Sequence, residues 1–114
     1  MQVFHHHIYE FKKGLRNLIL HTAPATHRSL VIKKLEHHGI DYLIYDQAPG
    51  KINIFFGDPS CIQVLRLIGK QSLNHFTLEE DFMLGIMLGY DRKKQCERYI
   101  TRSAKAQAVQ ELTG

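Results

Sequence analysis

Apolar positions along the chain recur with two different periods. Phe4, Ile8, Phe11 and Leu15 fall at i, i+4, i+7 and i+11, the spacing of one helical face, and Gly14 supplies a stop. An alternating reading of the same stretch, with His5, His7 and Tyr9 on one strand face, competes with it. Residues 15–22 (LRNLILHT) predict a strand with Leu18 and Leu20 toward the core. Ala23-Pro24 then breaks the chain and opens a helix to His38, with the stripe Arg28, Val31, Ile32 and Leu35. Gly39 followed by Ile40 matches a glycine C-cap with an apolar residue after it.

Residues 41–47 (DYLIYDQ) and 51–56 (KINIFF) predict two strands around the turn Ala48-Pro49-Gly50, with Ile52, Ile54 and Phe56 sharing a face. Gly57-Asp58-Pro59 ends the second strand and starts a helix, Asp58 at its N-cap and Pro59 at its first position. Cys61, Leu65 and Ile68 make its apolar stripe, and Gly69 closes it. Residues 73–76 (LNHF) predict a short fourth strand. Thr77 with Glu80 reads as a capping box for a long helix, broken near Gly89-Tyr90-Asp91.

This order, β-α-β-β-α-β with added N-terminal and C-terminal helices, predicts an α+β fold. Its economical form is a two-layer split β-α-β (ferredoxin-like) sandwich, with right-handed crossovers placing both internal helices on one sheet face. The other face, carrying residues such as Ile19 and Phe55, then needs cover from the terminal helices or a second subunit. No repeat, linker or composition break interrupts the chain, so residues 1–114 read as a single domain.

Composition narrows the class. The 114 residues are 44% hydrophobic with no Trp, enough for a core and unlike a disordered chain. No apolar run is long enough to span a bilayer. The opening Met1–His7 has neither a basic n-region nor an apolar h-region, so a secretory signal is not expected. Two cysteines 35 positions apart make neither a disulfide framework nor a CxxC site. A small cytoplasmic globular domain is the expectation.

The formal charge of +4 changes this picture, because it is uneven. Residues 90–105 hold six Lys and Arg against Asp91 and Glu97, and the remainder of the chain cancels. On a helix Lys94, Arg98, Arg102 and Lys105 recur at i, i+4, i+8 and i+11, on one face. A solvated helix surface is the plain reading; a docking strip for an acidic protein is the functional one.

Eight histidines offer a second kind of chemistry. His5-His6-His7 do not share a helix face, and His37-His38 close a helix where imidazolium meets free carbonyls. In the expected topology His21, His27, Asp46 and His75 gather at one sheet edge, a donor set suited to Zn or another divalent metal. Their plain reading is hydrogen-bonded edge residues. Cys61 sits in the first turn of a helix, where the dipole favours a thiolate, yet it also belongs to the apolar stripe. Cys96 has basic neighbours and no catalytic context. Gly85-Ile86-Met87-Leu88-Gly89 is a GxxxG pattern suited to close helix packing in a core or at a homodimer interface. There is no phosphate-binding glycine motif, and nucleic-acid binding has only the basic stripe and Tyr99 behind it.

Two segments carry a wider likeness. Val3-Phe4-His5-His6-His7-Ile8-Tyr9-Glu10-Phe11-Lys12-Lys13-Gly14-Leu15-Arg16 and Gly89-Tyr90-Asp91-Arg92-Lys93-Lys94-Gln95-Cys96-Glu97-Arg98-Tyr99 resemble a family of small bacterial proteins known only as a domain of unknown function. The resemblance covers about residues 1–105 and implies no catalytic residues. It does imply a context, since members are often encoded beside flavodoxin, an acidic protein that a basic strip would suit. The expectation is a non-enzymatic binding or accessory module for an acidic partner, flavodoxin first. A metal-dependent or small-ligand enzyme or sensor built on the edge histidines is the alternative, and a nucleic-acid regulator the third reading.

Overall fold

The computed structural model of the protein describes residues 1–113. They form α1 (Gln2–Lys12), β1 (Leu18–Pro24), α2 (Arg28–His37), β2 (Asp41–Gln47), β3 (Lys51–Gly57), α3 (Pro59–Ile68), α4 (Leu78–Met87) and α5 (Arg92–Thr113). Single 3-10 turns occupy Ala25–His27 and Leu73–His75. The chain is thus mixed α and β with one three-stranded antiparallel sheet and five α-helices. Its contacts divide it into two compact units, Met1–His75 and Phe76–Gly114. No helix among the described residues is long and apolar enough to cross a membrane.

In the first unit the strand order is β1-β3-β2, with both neighbours antiparallel to β3. β1 and β2 therefore run parallel on either side of β3, a β-α-β unit split by the hairpin strand. The 47–51 pairing closes the hairpin over Ala48-Pro49-Gly50, where the Ala48-Pro49 peptide is cis and Gly50 has φ +63°. Thr22 lies directly opposite Asn53 and donates its hydroxyl to the Asn53 amide oxygen at 2.8 Å, so the sheet's one buried polar side chain also pins its register.

Register fixes which side chains share a face. Ile19 stands opposite Phe56 and Ala23 opposite Ile52, while Ile44 stands opposite Ile54. These residues form one core with Phe4 and Ile8 of α1 and Val31 and Leu35 of α2. Ile19 and Phe55 thus point to opposite faces, and Leu18 shares the Phe55 side. Counting alternation within each strand alone does not reveal this; pairing across strands does. Ile62 and Leu65 of α3 are fully buried yet stand outside that cluster, and α3 lies against β2 and β3. That places α3 over the opposite face with Leu18, Tyr45 and Phe55, where the last two rings meet edge-on at 5.1 Å.

Helices therefore cover both faces, rather than one as the ferredoxin-like arrangement expects. The fourth strand of that arrangement is also absent: Leu73–His75 is a 3-10 turn. Asn74 donates its backbone N–H to the Ser72 hydroxyl, a local bond that competes with a ladder.

Caps set the helix ends where the sequence places them. Asp58 accepts from the Ser60 N–H with Pro59 at the first position. At the end of α2, Gly39 has φ +65° and Ile40 N–H reaches the Leu35 carbonyl, a Schellman motif. The opening segment is helical, so the competing strand reading of His5, His7 and Tyr9 does not hold.

Phe4 is fully buried against Phe56 and His21, whereas its neighbour Val3 is 61% exposed. Phe4→Ala should cost roughly 3–5 kcal/mol and Val3→Ala within about 0.5 kcal/mol, read from urea unfolding midpoints of the full chain.

Candidate functional site

The second unit is a helical hairpin whose loop is built from two caps. Gly89 takes φ +80°, and Tyr90 N–H bonds to the Gly85 carbonyl while Gly89 N–H bonds to Ile86. Asp91 then caps α5 by accepting the Lys94 N–H at 2.9 Å. At the far end Thr77 and Glu80 complete the capping box. Of the GxxxG pair, Gly89 is thus a helix stop. Gly85 is a contact: a Cβ there would collide with the Gln95 side chain, so α5 approaches α4 closely at that point.

The first turn of α4 carries Glu79, Glu80 and Asp81. Asp81 accepts two bonds from the Arg98 guanidinium, at 2.9 and 3.2 Å, and pairs with Arg102 at 3.1 Å. The bidentate bond to Arg98 first, then the charges of both arginines, hold the Asp81 carboxyl below its ordinary value despite partial burial. Glu79 acts on Tyr99 in the same way: its charge, burial and its hydrogen bond raise the phenol above its ordinary value. Phe82 and Tyr99 rings meet at 5.8 Å beside them.

The row Lys94, Arg98, Arg102 and Lys105 lies as predicted on one face of α5, but its middle is engaged. Two guanidinium groups share one carboxylate, so the row keeps an excess of three positive charges against Asp81 over roughly 16 Å of helix. Lys94 and Lys105 are exposed at its ends. Sequence reasoning missed Asp81. Its only signal was an acidic first turn, which serves a helix N-terminus equally well.

Division by unit also relocates the net charge. Residues 76–114 hold six Lys and Arg against six Asp and Glu, and residues 1–75 hold nine against five. The +4 therefore belongs to the first unit, together with all eight histidines. The apparent excess of residues 90–105 is balanced mainly by α4.

The four residues considered for a metal separate into two pairs. The His21 ring, on β1, lies tilted against Phe4 at 5.2 Å and edge-on to His7 at 5.5 Å, with His27 close enough to act on its charge. Asp46, on β2, is bound by Arg28 at 2.8 Å and lines a cavity of about 500 Å³ with His75. β3 runs between the two pairs. A fourth strand beside β1 would have carried His75 to His21, and the 3-10 turn does not. Among the described residues no three His, Cys, Asp or Glu side chains gather to hold a metal ion. The Cys61 thiol is pushed up by burial and by the Asp58 carboxylate, the opposite of the direction that favours a thiolate.

A model of the family described as Protein of unknown function (DUF2023) matches residues 2–102. A search of curated proteins found no match to the chain.

Two pH dependences follow from opposite groups. Asp81 is depressed, so its pairing is fully present above its unfolded value of 3.8 and fades as pH falls through the folded value. Asp81→Asn should lower stability by about 0.5–1 kcal/mol at neutral pH, with a smaller loss on going to acid, measured by urea unfolding. His21 lies below its ordinary 6.5 through burial and then the charge of His7, so its neutral form is the folded one. Stability should fall as pH drops from about 7.5 to about 5.5, and His21→Gln should flatten that slope.

Proposed function

The chain belongs to the family of proteins of unknown function matched above, and we propose from its own residues that it is a non-enzymatic binding or accessory module of the bacterial cytoplasm for an acidic protein partner. The observation that carries this reading is the Asp81 clamp. One carboxylate holds Arg98 and Arg102 in place without cancelling both, so two guanidinium forks stand ordered between Lys94 and Lys105. Ordering in advance reduces the side-chain entropy lost on binding. Guanidinium groups retain further N–H donors suited to carboxylates after such a contact. An acidic surface carrying several Asp and Glu side chains matches that row in sign and spacing. Flavodoxin, acidic and implied by the family resemblance, is the first partner to test.

Lys94 and Lys105 form no ion pair among the described residues, so their replacement leaves the hairpin intact. Lys94→Glu with Lys105→Glu should weaken flavodoxin binding at low salt by about tenfold or more, chiefly through association rate, in a titration across ionic strength. Binding that ignores both the substitutions and added salt, or no binding at low salt, overturns the proposal.

A further inference from the structure

The first unit carries a concavity of a different kind. An open groove of about 620 Å³ between α1 and α2 is lined by Met1, His5, Leu30, Lys33, Lys34 and His37. Its charge follows from helix spacing. Leu30, Lys33, Lys34 and His37 recur at i, i+3, i+4 and i+7, a stripe distinct from the Val31 and Leu35 that α2 buries in the core. Met1, which precedes α1, and His5 in its first turn line it from the other side.

No carboxylate lines this groove, and none of its lining side chains forms an ion pair among the described residues. At its border Lys12 donates to the His38 Nδ1 at 3.0 Å. His38 lies below its ordinary value through burial first, then through the charges of Lys12, His37, Lys34 and His5. Several cationic groups thus converge on one place. The groove also has apolar walls, since Leu30 is 55% and Met1 41% exposed. A concavity of this size that sets apolar walls beside charged side chains has the dimensions of small-molecule sites, roughly 300–1,000 Å³.

We propose that the α1–α2 groove binds a small organic anion, a carboxylate or phosphate on a short apolar chain or ring, with Lys33, Lys34 and His37 meeting the acid and Leu30 and Met1 meeting the body. Both halves of the ligand are required by the lining. A bare inorganic ion would leave the apolar walls wet, and a neutral apolar molecule would leave the lysines without a counter-charge. The site lies wholly in the first unit, so it stands independently of the α5 row.

The test is a two-dimensional amide NMR titration of the full chain with octanoate, alongside octylammonium, octanol and inorganic phosphate. Saturable shifts should centre on His5, Leu30, Lys33, Lys34 and His37 with octanoate. Lys33→Gln with Lys34→Gln should weaken octanoate by about tenfold or more. Both lysines are exposed, and the variant's unperturbed amide spectrum verifies its fold. Leu30→Ser should weaken octanoate and leave the response to phosphate unchanged. Absence of saturable shifts at these residues, an equal response to octylammonium or octanol, phosphate binding as tightly as octanoate, or an unchanged double variant each overturns the proposal.

Discussion

A strand buried on both faces governs the first unit. From Ile52 to Gly57 every residue of β3 is buried, so the sheet must be covered above and below. Three strands cannot close into a barrel, and helices have to provide that cover. Two of them, α1 and α2, share the face of Ile52, Ile54 and Phe56, and α3 takes the other. Two helices side by side on a narrow sheet leave a furrow between their outer surfaces. The cationic groove is therefore a consequence of how β3 is covered, and its chemistry is set by residues that the core does not use.

The hairpin obeys a different constraint. It has little apolar surface to bury, since Leu84, Gly85 and Leu88 are its only buried residues among those described. Polar contacts take a larger share of its specification. Three adjacent carboxylates in the first turn of α4 divide the work: Glu80 closes the cap, Glu79 receives Tyr99, and Asp81 receives Arg98 and Arg102. Each favours the helix N-terminus by its charge as well. Exposed pairs of this kind contribute little apiece, so their effect is to fix the angle and register of α5 more than to hold it.

Local signals were readable from the residues, and contacts between distant segments were not. Asp58-Pro59, Thr77 with Glu80, Gly39-Ile40 and Gly89-Tyr90-Asp91 each carry their cap chemistry within a few positions, and all four mark real boundaries. The segment 73–76 failed because four residues, Leu-Asn-His-Phe, are too short a run to tell a turn from a strand, and the Asn74 N–H is taken by the Ser72 hydroxyl. The expected grouping of His21, His27, Asp46 and His75 at one edge depended on that strand, because only it would have joined His75 to His21. Asp81 was illegible for the same reason: nothing within α4 shows that its carboxylate faces two arginines 17 and 21 positions away.

The partition of charge bears on what each unit can recognise. Screening in cells limits the reach of exposed charge to about 8 Å, so net charge matters less than local arrangement. The hairpin is neutral in sum, yet Glu79, Glu80, Asp81 and Asp91, four of its six carboxylates, are engaged in internal contacts while Lys94 and Lys105 remain exposed. A neutral unit can thus still present a positive row. The first unit holds the excess of four and every histidine, so histidine protonation adds charge to that unit alone. Its groove combines that positive potential with concave apolar walls, a pairing that favours ligands small enough to enter over extended partners. The two proposed surfaces share a sign and differ in form, one a helix face ordered by Asp81 and the other a groove between helices, so each would suit a different class of anion.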